Sequence, residues 1–566
     1  MSLSALWNAR SVAVIGATDR PGAIGRLPVA YLQRYGFPGR IHPVNPTAET
    51  ILGLPAHPSV AAIGEPVDLA LVLVAAARVP DAIDDCAAAG VPVAVVMSSG
   101  FAEAGDAGQA LQHEVVRRAR LGGVRVVGPN CIGTVGVANG QVTSFSPLFS
   151  ADDVPMRTGS IGFVSQSGAL GYGAVSLAMA RGLNLGWVVN TGNEADVTTV
   201  EVLRELGAQD GVRGLLAYVE SLADGAALRT LAAAGKPMAV LKAGTSEAGA
   251  QAAASHTGAL AASDTVVDGV LRQLRIARAR DVDELLDLGD AFEQPRELAG
   301  PRVAVVTTSG GSGILAADAV STYGLQLADF STETDDELRQ IVPAFGSAAN
   351  PVDVTATVMS DPGLFDRCLE VVADDPGVDA VVACFCVLTG DDVDRVVEAL
   401  ARSAERTGKP VFVARTGADF LAPKAAAALR AAGIPAFSTP ARAVRALAGL
   451  WETRPRQAKP ADGAAIPEPA DTSEPALKEL LAAHGFPVPA GRVAATPEEA
   501  AEAAHDPVVM KAVVPGLLHK TEAAAVVVGV TRDRAREVFH QLKDLGGEVY
   551  VEELVSGGEE MLVGVA

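Results

Sequence analysis

The sequence predicts an α/β protein built from three doubly wound units in tandem, followed by a smaller unit of different design. Three observations carry this. A short apolar run, a loop of Gly and Ser/Thr, and an Ala-rich helical stretch recur three times, from Ser11, Gly159 and Arg302. The runs are continuous in Val and Ile rather than alternating, which marks parallel strands covered on both faces. From Thr453 the chain turns Pro-, Ala- and charge-rich without periodicity, and a new pattern begins near Ser473.

Each unit is filled by further apolar runs. DLALVLVAA, VPVAVVMSSG and VRVVGPNC follow the first; LGWVVNTGN, VRGLLAYVES and KPMAVLKAG the second; VDAVVACFCVL and KPVFVARTG the third. The expected boundaries are 1–145, 146–295 and 300–452, then a linker over 453–472 and a last unit over 473–566. That last unit reads helix (ALKELLAAHG), strand (PVVMKAVV), strand (AAAVVVGV), helix (RAREVFHQL), strand (EVYVEELV), and breaks off inside another strand-like run. A chain of 566 residues is long enough for several cores of this size.

The formal net charge of -22 and the lack of a basic stripe argue against a nucleic-acid partner. The N-terminus has no signal-peptide pattern, and no uncharged apolar run reaches the roughly 20 residues that span a bilayer, so a cytoplasmic protein with no membrane partner is expected. The five cysteines show no CxxC pair and read as small core residues; no metal site is expected among the residues present.

Chemistry concentrates at the loops that close the first strand of each unit, where open α/β sheets bind ligands. Gly16, Ala17, Thr18, Gly22 and Gly25 form a loop through which a backbone can approach a pyrophosphate. An NAD site would want an acid closing the next strand; Val44, Asn45 and Pro46 stand there instead, which favours another nucleotide-like ligand. Ser165, Gln166, Ser167 and Gly168, and then Ser309, Gly310, Gly311, Ser312 and Gly313, repeat the design of a loop opening a helix. Of eight histidines, His256 stands out, in a stretch of Gly, Ala, Ser and Thr with almost no bulky side chain. It reads either as a structural histidine or as a phosphoryl acceptor, since neutral imidazole accepts phosphoryl groups near pH 7. Glu220, ending LLAYVE, is the candidate carboxylate for its second ring nitrogen.

The ordered set VIGATDRPGAIGR, PVNP, VGPNCIGTVG, FVSQSGALG, TGNEADVTT, AYVES, SHTGA, TTSGGSGILAADA, NPVDVT, LKELLAAHGFPVP and VVMKAVVPGLLHKTEAAAVVVGV resembles the ADP-forming acyl-CoA synthetase family, related to succinyl-CoA synthetase. The resemblance spans essentially the whole chain. It implies a Rossmann-like CoA-binding domain, two flavodoxin-like CoA-ligase domains, and the first part of an ATP-grasp domain. It further implies CoA around the first glycine loop and Val44–Pro46, with Asn130 and Cys131 near the thiol end. His256 would be the phosphohistidine, steadied by Glu220, with the helix starts at Ser165–Gly168 and Ser309–Gly313 aimed at the phosphoryl group. Lys511 would touch ATP phosphates, Glu552 and Glu553 would lie at the adenine hinge, and His519 matches a second histidine that relays phosphate in some members. Where the family pattern runs to an Asp and paired glycines, this chain has Thr521, Glu522, Ala523, Ala524 and Ala525. The implied substrates are a small carboxylic acid, CoA and ATP. Mg²⁺ ligands are expected in a C-terminal stretch beyond this sequence, and the assembly is expected to be a homo-oligomer or a pairing with a chain that completes the ATP-grasp domain. A catalytically lapsed, CoA-binding sensor of acyl-CoA is the alternative function.

Overall fold

A computed structural model describes residues 2–222, 225–251, 263–455, 469, 471–505, 507–514 and 523–557. The chain divides into two compact units, 1–455 and 456–566.

The first sheet of the larger unit contains β1 (Ser11–Ile15), β2 (Arg40–Val44), β5 (Leu69–Val72), β6 (Val93–Val96) and β7 (Arg125–Val127), all parallel, in the order β2-β1-β5-β6-β7. A small hairpin, β3 (Thr50–Ile51) with β4 (Leu54–Pro55), follows β2. All five residues of β1 are buried, as expected when both faces are covered. The chain leaves β1 to one side for β2 and returns on the other side for β5. Crossover loops therefore diverge above the carboxyl ends of β1 and β5 and leave a crevice.

The second sheet holds β8 (Gly133–Gly136), β9 (Gln141–Ser144), β10 (Ile161–Ser165), β11 (Leu185–Asn190), β12 (Gly214–Val219), β13 (Met238–Lys242) and β14 (Ala277–Ala279), ordered β14-β13-β12-β10-β11-β8-β9. The hairpin β8–β9 lies inside the expected first unit, 1–145, yet it pairs antiparallel with β11, Trp187 opposite Gly136. The N-terminal segment completes the join. Gln141 accepts from the Ala9 amide at 2.7 Å and donates to the Ala5 carbonyl at 2.9 Å, and Thr134 donates to the Leu6 carbonyl at 2.6 Å. Gly136 is required here because a Cβ would fall 2.1 Å from the Trp7 carbonyl oxygen.

The third sheet runs β16-β15-β18-β19-β20, from β15 (Arg302–Thr307), β16 (Gln326–Leu327), β18 (Ala380–Cys386), β19 (Val411–Thr416) and β20 (Ala436–Phe437), with β17 (Val352–Asp353) pairing the end of β15. It docks on the second sheet through helix Val282–Phe292 against helix Pro440–Glu452. The helices approach closely enough that a Cβ on Gly449 would meet Leu288 at 2.1 Å. Arg442 grips Asp287 with two bonds of 2.6 and 2.7 Å across this seam, and Arg445 pairs with Glu284. Cys384 is buried in β18 and Cys386 partly so.

The smaller unit is an antiparallel sheet, β21-β24-β22-β23, made of β21 (Gly491–Ala494), β22 (Val508–Val513), β23 (Val526–Val530) and β24 (Glu548–Glu553). Helices Pro497–Ala503 and Arg532–Lys543 bury Ala500, Ala501, Val538, Phe539 and Leu542 with its strands. β21 and helix Pro497–Ala503 were not anticipated from the sequence. GRVA is too short and too polar to announce a strand, and three of its four residues are exposed. The strand-like run at the end of the sequence and most of the expected linker lie outside the described residues.

Candidate functional site

The first glycine loop crosses the crevice at the end of β1. Gly16 has φ +90°, and a Cβ on it would lie 2.7 Å from the Leu73 carbonyl oxygen; one on Gly25 would lie 2.2 Å from the Gly16 carbonyl oxygen. Neither position has room for a side chain, so the two glycines let the loop pack against the chain that leaves β5 and against itself. Asn45 holds the loop from the neighbouring strand. Its Nδ2 donates to the Ala17 carbonyl at 2.9 Å, while its Oδ1 accepts from the Thr47 and Ala48 amides at 2.9 and 3.1 Å. Val44 is buried beneath it, so Val44 and Asn45 position the loop. Gly22 has φ +75° and open space around its α-carbon. Thr18 accepts from the Arg20 amide at 3.2 Å.

Above β5 and β6 opens a cavity of about 400 Å³, lined in part by Ile24, Leu73, Met97, Ser98, Asn130 and Cys131. The structure thus brings Asn130 and Cys131 to the same crevice as the glycine loop. Cys131 is 1% exposed, its thiol donates to the Val96 carbonyl, and burial pushes its pKa up to about 12. It is a wall of the cavity and no nucleophile at neutral pH. Asn130 sits at φ +58° and faces the second sheet. Asn193 accepts from it at 3.3 Å and donates to Glu103 and Gln112 at 2.6 and 3.0 Å, and Asp196 accepts from Arg125 at 2.9 Å. The motif TGNEAD therefore clasps the first sheet to the second.

Ser165 closes β10, and its hydroxyl donates to the Ser167 carbonyl at 2.7 Å, turning the chain into helix Gly168–Arg181. Gly168 fits against Ile132, which a Cβ would meet at 2.6 Å. Gln166 reaches sideways. Its Oε1 accepts from the Glu220 and Ser221 amides at 2.6 and 3.1 Å, and its Nε2 donates to the Ser221 carbonyl at 3.0 Å. All three bonds hold the turn that presents Glu220, whose carboxylate lies 3.5 Å from the Tyr218 hydroxyl. His256 lies outside the described residues; its segment departs after Gln251 and returns at Ser263.

Lys242 was missed by the sequence reading. It closes β13, in register with Val219, and is 3% exposed. Burial holds its amine below the usual lysine range, against the pull of Asp264 and Glu220. The available signal was a lone Lys ending an apolar strand just before the His256 segment.

The third loop repeats the turn. Thr307 donates to the Ser309 carbonyl at 2.8 Å and accepts from the Ser309 amide at 3.0 Å, starting helix Gly310–Thr322. Here a carboxylate already attends the helix start: the space beside Gly310 is bounded 3.0 Å away by Asp353 Oδ2. Gly311 has open space beside it, whereas Ser312 and Gly313 turn inward, Gly313 packing on Thr307 and Pro351.

In the smaller unit Lys511 of β22 donates to Glu474 at 2.7 Å and pairs with Glu552, and Lys478 bridges the same two carboxylates. Glu552 is 6% exposed; Glu553 ends β24 in the open. His519 lies outside the described residues. Ala524, within the stretch where the family pattern carries paired glycines, adopts φ +52°. Among the described residues no group of three or more His, Cys, Asp or Glu is placed to hold a metal ion, and no helix is long and apolar enough to cross a membrane.

Comparison with known proteins meets this geometry domain by domain. A CoA binding domain matches residues 10–136, a succinyl-CoA ligase like flavodoxin domain 158–292, a Ligase-CoA domain 303–459 and an ATP-grasp domain 470–566. Acetate–CoA ligase [ADP-forming] I of Archaeoglobus fulgidus is 33% identical over 99% of this chain and 84% of its own length. The chain belongs to the ADP-forming acyl-CoA ligase family. The alpha subunit of acetate–CoA ligase [ADP-forming] I of Pyrococcus furiosus is 35% identical over 81% of this chain and 99% of that subunit. A dinucleotide-forming acetyl-coenzyme A synthetase 1 of Ca. Korarchaeum cryptofilum, solved with phosphate and ADP, superposes with a TM-score of 0.72 at 32% identity, covering 80% of this chain and 97% of that one. The relatives are named for catalysis, which supports a ligase over a lapsed sensor. The CoA-binding and ATP-grasp matches agree with CoA and ATP/ADP as the nucleotides handled.

Proposed function

We propose that this chain is an acid–CoA ligase of the ADP-forming type that works through a phosphohistidine at His256. An Nε2 or Nδ1 lone pair of His256 takes the terminal phosphoryl group of ATP, forming a P–N bond as the P–O bond to ADP breaks. The substrate carboxylate then takes the phosphoryl group, and the imidazole leaves. In the last step the thiol of CoA forms the C–S bond at the acyl phosphate; the C–O bond breaks, and phosphate leaves with the thiol proton passing to solvent or to phosphate.

In this reading Gly16, Gly25 and Asn45 shape the CoA crevice, and Asn130 lies toward its thiol end. The helix starts at Ser165–Gly168 and Ser309–Gly313 favour the phosphoryl charge with amides and dipole, in a chain whose net charge is -22. Lys511 meets ATP phosphates, Glu552 and Glu553 border the adenine, and His519 relays phosphate toward His256. The ligase acts as a homo-oligomer or with a second polypeptide.

One observation carries the proposal: Gln166, from the loop after β10, holds the Glu220–Ser221 turn with three hydrogen bonds, one to the Glu220 amide and two to Ser221, beside the strand that leads into the His256 segment. A carboxylate so held can fix the tautomer of an incoming imidazole. The test is labelling with acetyl-CoA and [³²P]phosphate. Acid-labile, base-stable label that disappears in His256→Ala is expected; label that persists in that variant overturns the assignment.

A further inference from the structure

We propose that a cavity between the second and third sheets binds a phosphate-bearing anion, inorganic phosphate or a phosphate monoester, with Arg415 as its anchor. The cavity measures about 470 Å³ and opens at the carboxyl ends of β19 and β20, against helices Gly168–Arg181 and Val282–Phe292. Carboxyl ends of parallel strands are where sheets of this kind take ligands. None of the lining residues belongs to the loops assigned to CoA or the phosphoryl group.

Four guanidiniums line it: Arg181, Arg415, Arg430 and Arg442. Three are engaged by buried acids. Arg442 is bidentate on Asp287, Arg181 shares Asp287 at 3.4 Å, and Arg430 pairs with Asp290 while also donating to the Arg181 carbonyl at 2.8 Å. Arg415 differs. Its side chain is 9% exposed, but the carboxylate it pairs with, Asp419, is 87% exposed. A guanidinium cannot shed its proton, and it carries five donors in a planar fork. Burying it against a carboxylate that stands in water leaves much of its charge uncompensated. Asp419 thus occupies the place of an anion without being built in.

The pairing of the fork selects the class of ligand. Arg181 is met by Asp283 as well as Asp287, and Arg430 by Glu293 as well as Asp290, so of the four guanidiniums only Arg415 relies on Asp419. With Asp419 turned away, an anion that takes its place meets a planar fork of donors, which the oxygens of a phosphate match. The hydroxyl of Ser438 adds a donor, and Phe437 with Ala426 and Ala436 supplies an apolar wall beside the fork, with room beyond the phosphoryl group for an ester.

Equilibrium dialysis of the full chain against [³²P]phosphate tests this. Arg415→Met is expected to remove one saturable phosphate site per chain, or to weaken it at least tenfold. Asp419→Asn, at an exposed position, is expected to tighten that site several-fold by removing the competing carboxylate. Phosphate binding unchanged in Asp419→Asn overturns the proposal, even if Arg415→Met fails to fold. Displacement by glycerol 3-phosphate at lower concentration than by phosphate identifies an ester as the occupant, and the reverse order identifies inorganic phosphate. Displacement by acetate as effective as by either would overturn the phosphate class. Because the site shares no residue with the His256 machinery, His256→Ala should retain it.

Discussion

The side-chain oxygen of Gln166 accepts the backbone amide of Glu220 at 2.6 Å, so the loop that follows β10 sets the position of the acid just beyond β12. Gln166 is pinned in turn, its own amide donating to the Tyr218 carbonyl at 3.1 Å. The loop and the backbone turn that carries Glu220 are therefore tied together by hydrogen bonds.

Gln166→Ala should release the Glu220 turn while leaving the CoA crevice intact. Misplacing a positioned group costs up to about 10²-fold in rate. The expected outcome is a 10- to 100-fold loss of kcat, by the order of magnitude of that effect, with the KM for CoA unchanged. Steady-state kinetics with acid, CoA and ATP read the split, and an equal rise in the CoA KM would contradict it.

Lys511 and Glu552 predict a separation of half-reactions. Lys511→Ala should abolish labelling of the protein from [γ-³²P]ATP but spare labelling from acetyl-CoA and phosphate. Loss of both would show that the substitution disturbs more than the nucleotide site.

Glu293 gives the seam between the second and third sheets a pH dependence. Burial, reinforced by repulsion from Asp290, pushes its pKa up to about 7, against the pull of Arg430. The folded state therefore prefers the protonated form. This stabilisation is complete below the ordinary glutamate range and is lost as pH rises through about 7. Relative to Glu293→Gln, the wild type should lose about 1–3 kcal/mol between pH 5 and pH 8. Thermal melts at both pH values check this; parallel shifts in the two proteins would refute it.

Ala524 occupies the left-handed region at φ +52°. A side chain there costs about 1–2 kcal/mol that glycine avoids. Ala524→Gly should relieve that strain, offset by the greater chain entropy of glycine, for a net gain of about 0.5 kcal/mol or slightly more. Urea unfolding of the full chain would register it as a higher midpoint for the transition of the smaller unit.

The placement of the candidate loops in the fold could be read from residue order alone. Gly16, Ser165 and Ser309 each follow a run of buried Val or Ile, and such a run can only be an interior parallel strand with its loop at the ligand-binding edge. Asn193 and Asp196 were visible as a motif without a role; their partners, Asn130 and Arg125, lie more than sixty positions away. Lys242 looked like an ordinary strand-ending lysine until the packing of β12 against β13 buried it.

Periodicity, glycine placement and motif order are local properties of the chain, and they sufficed for the class of fold, the succession of domains and the candidate phosphohistidine. The transfer of hairpin β8–β9 to the second sheet, the grip of Gln166 on the Glu220 turn, and the convergence of Arg181, Arg415, Arg430 and Arg442 on one cavity arose only on folding. Each depends on pairings between distant segments, whose energies are set by burial and hydrogen-bond geometry in three dimensions, and no pattern along the chain encodes those quantities.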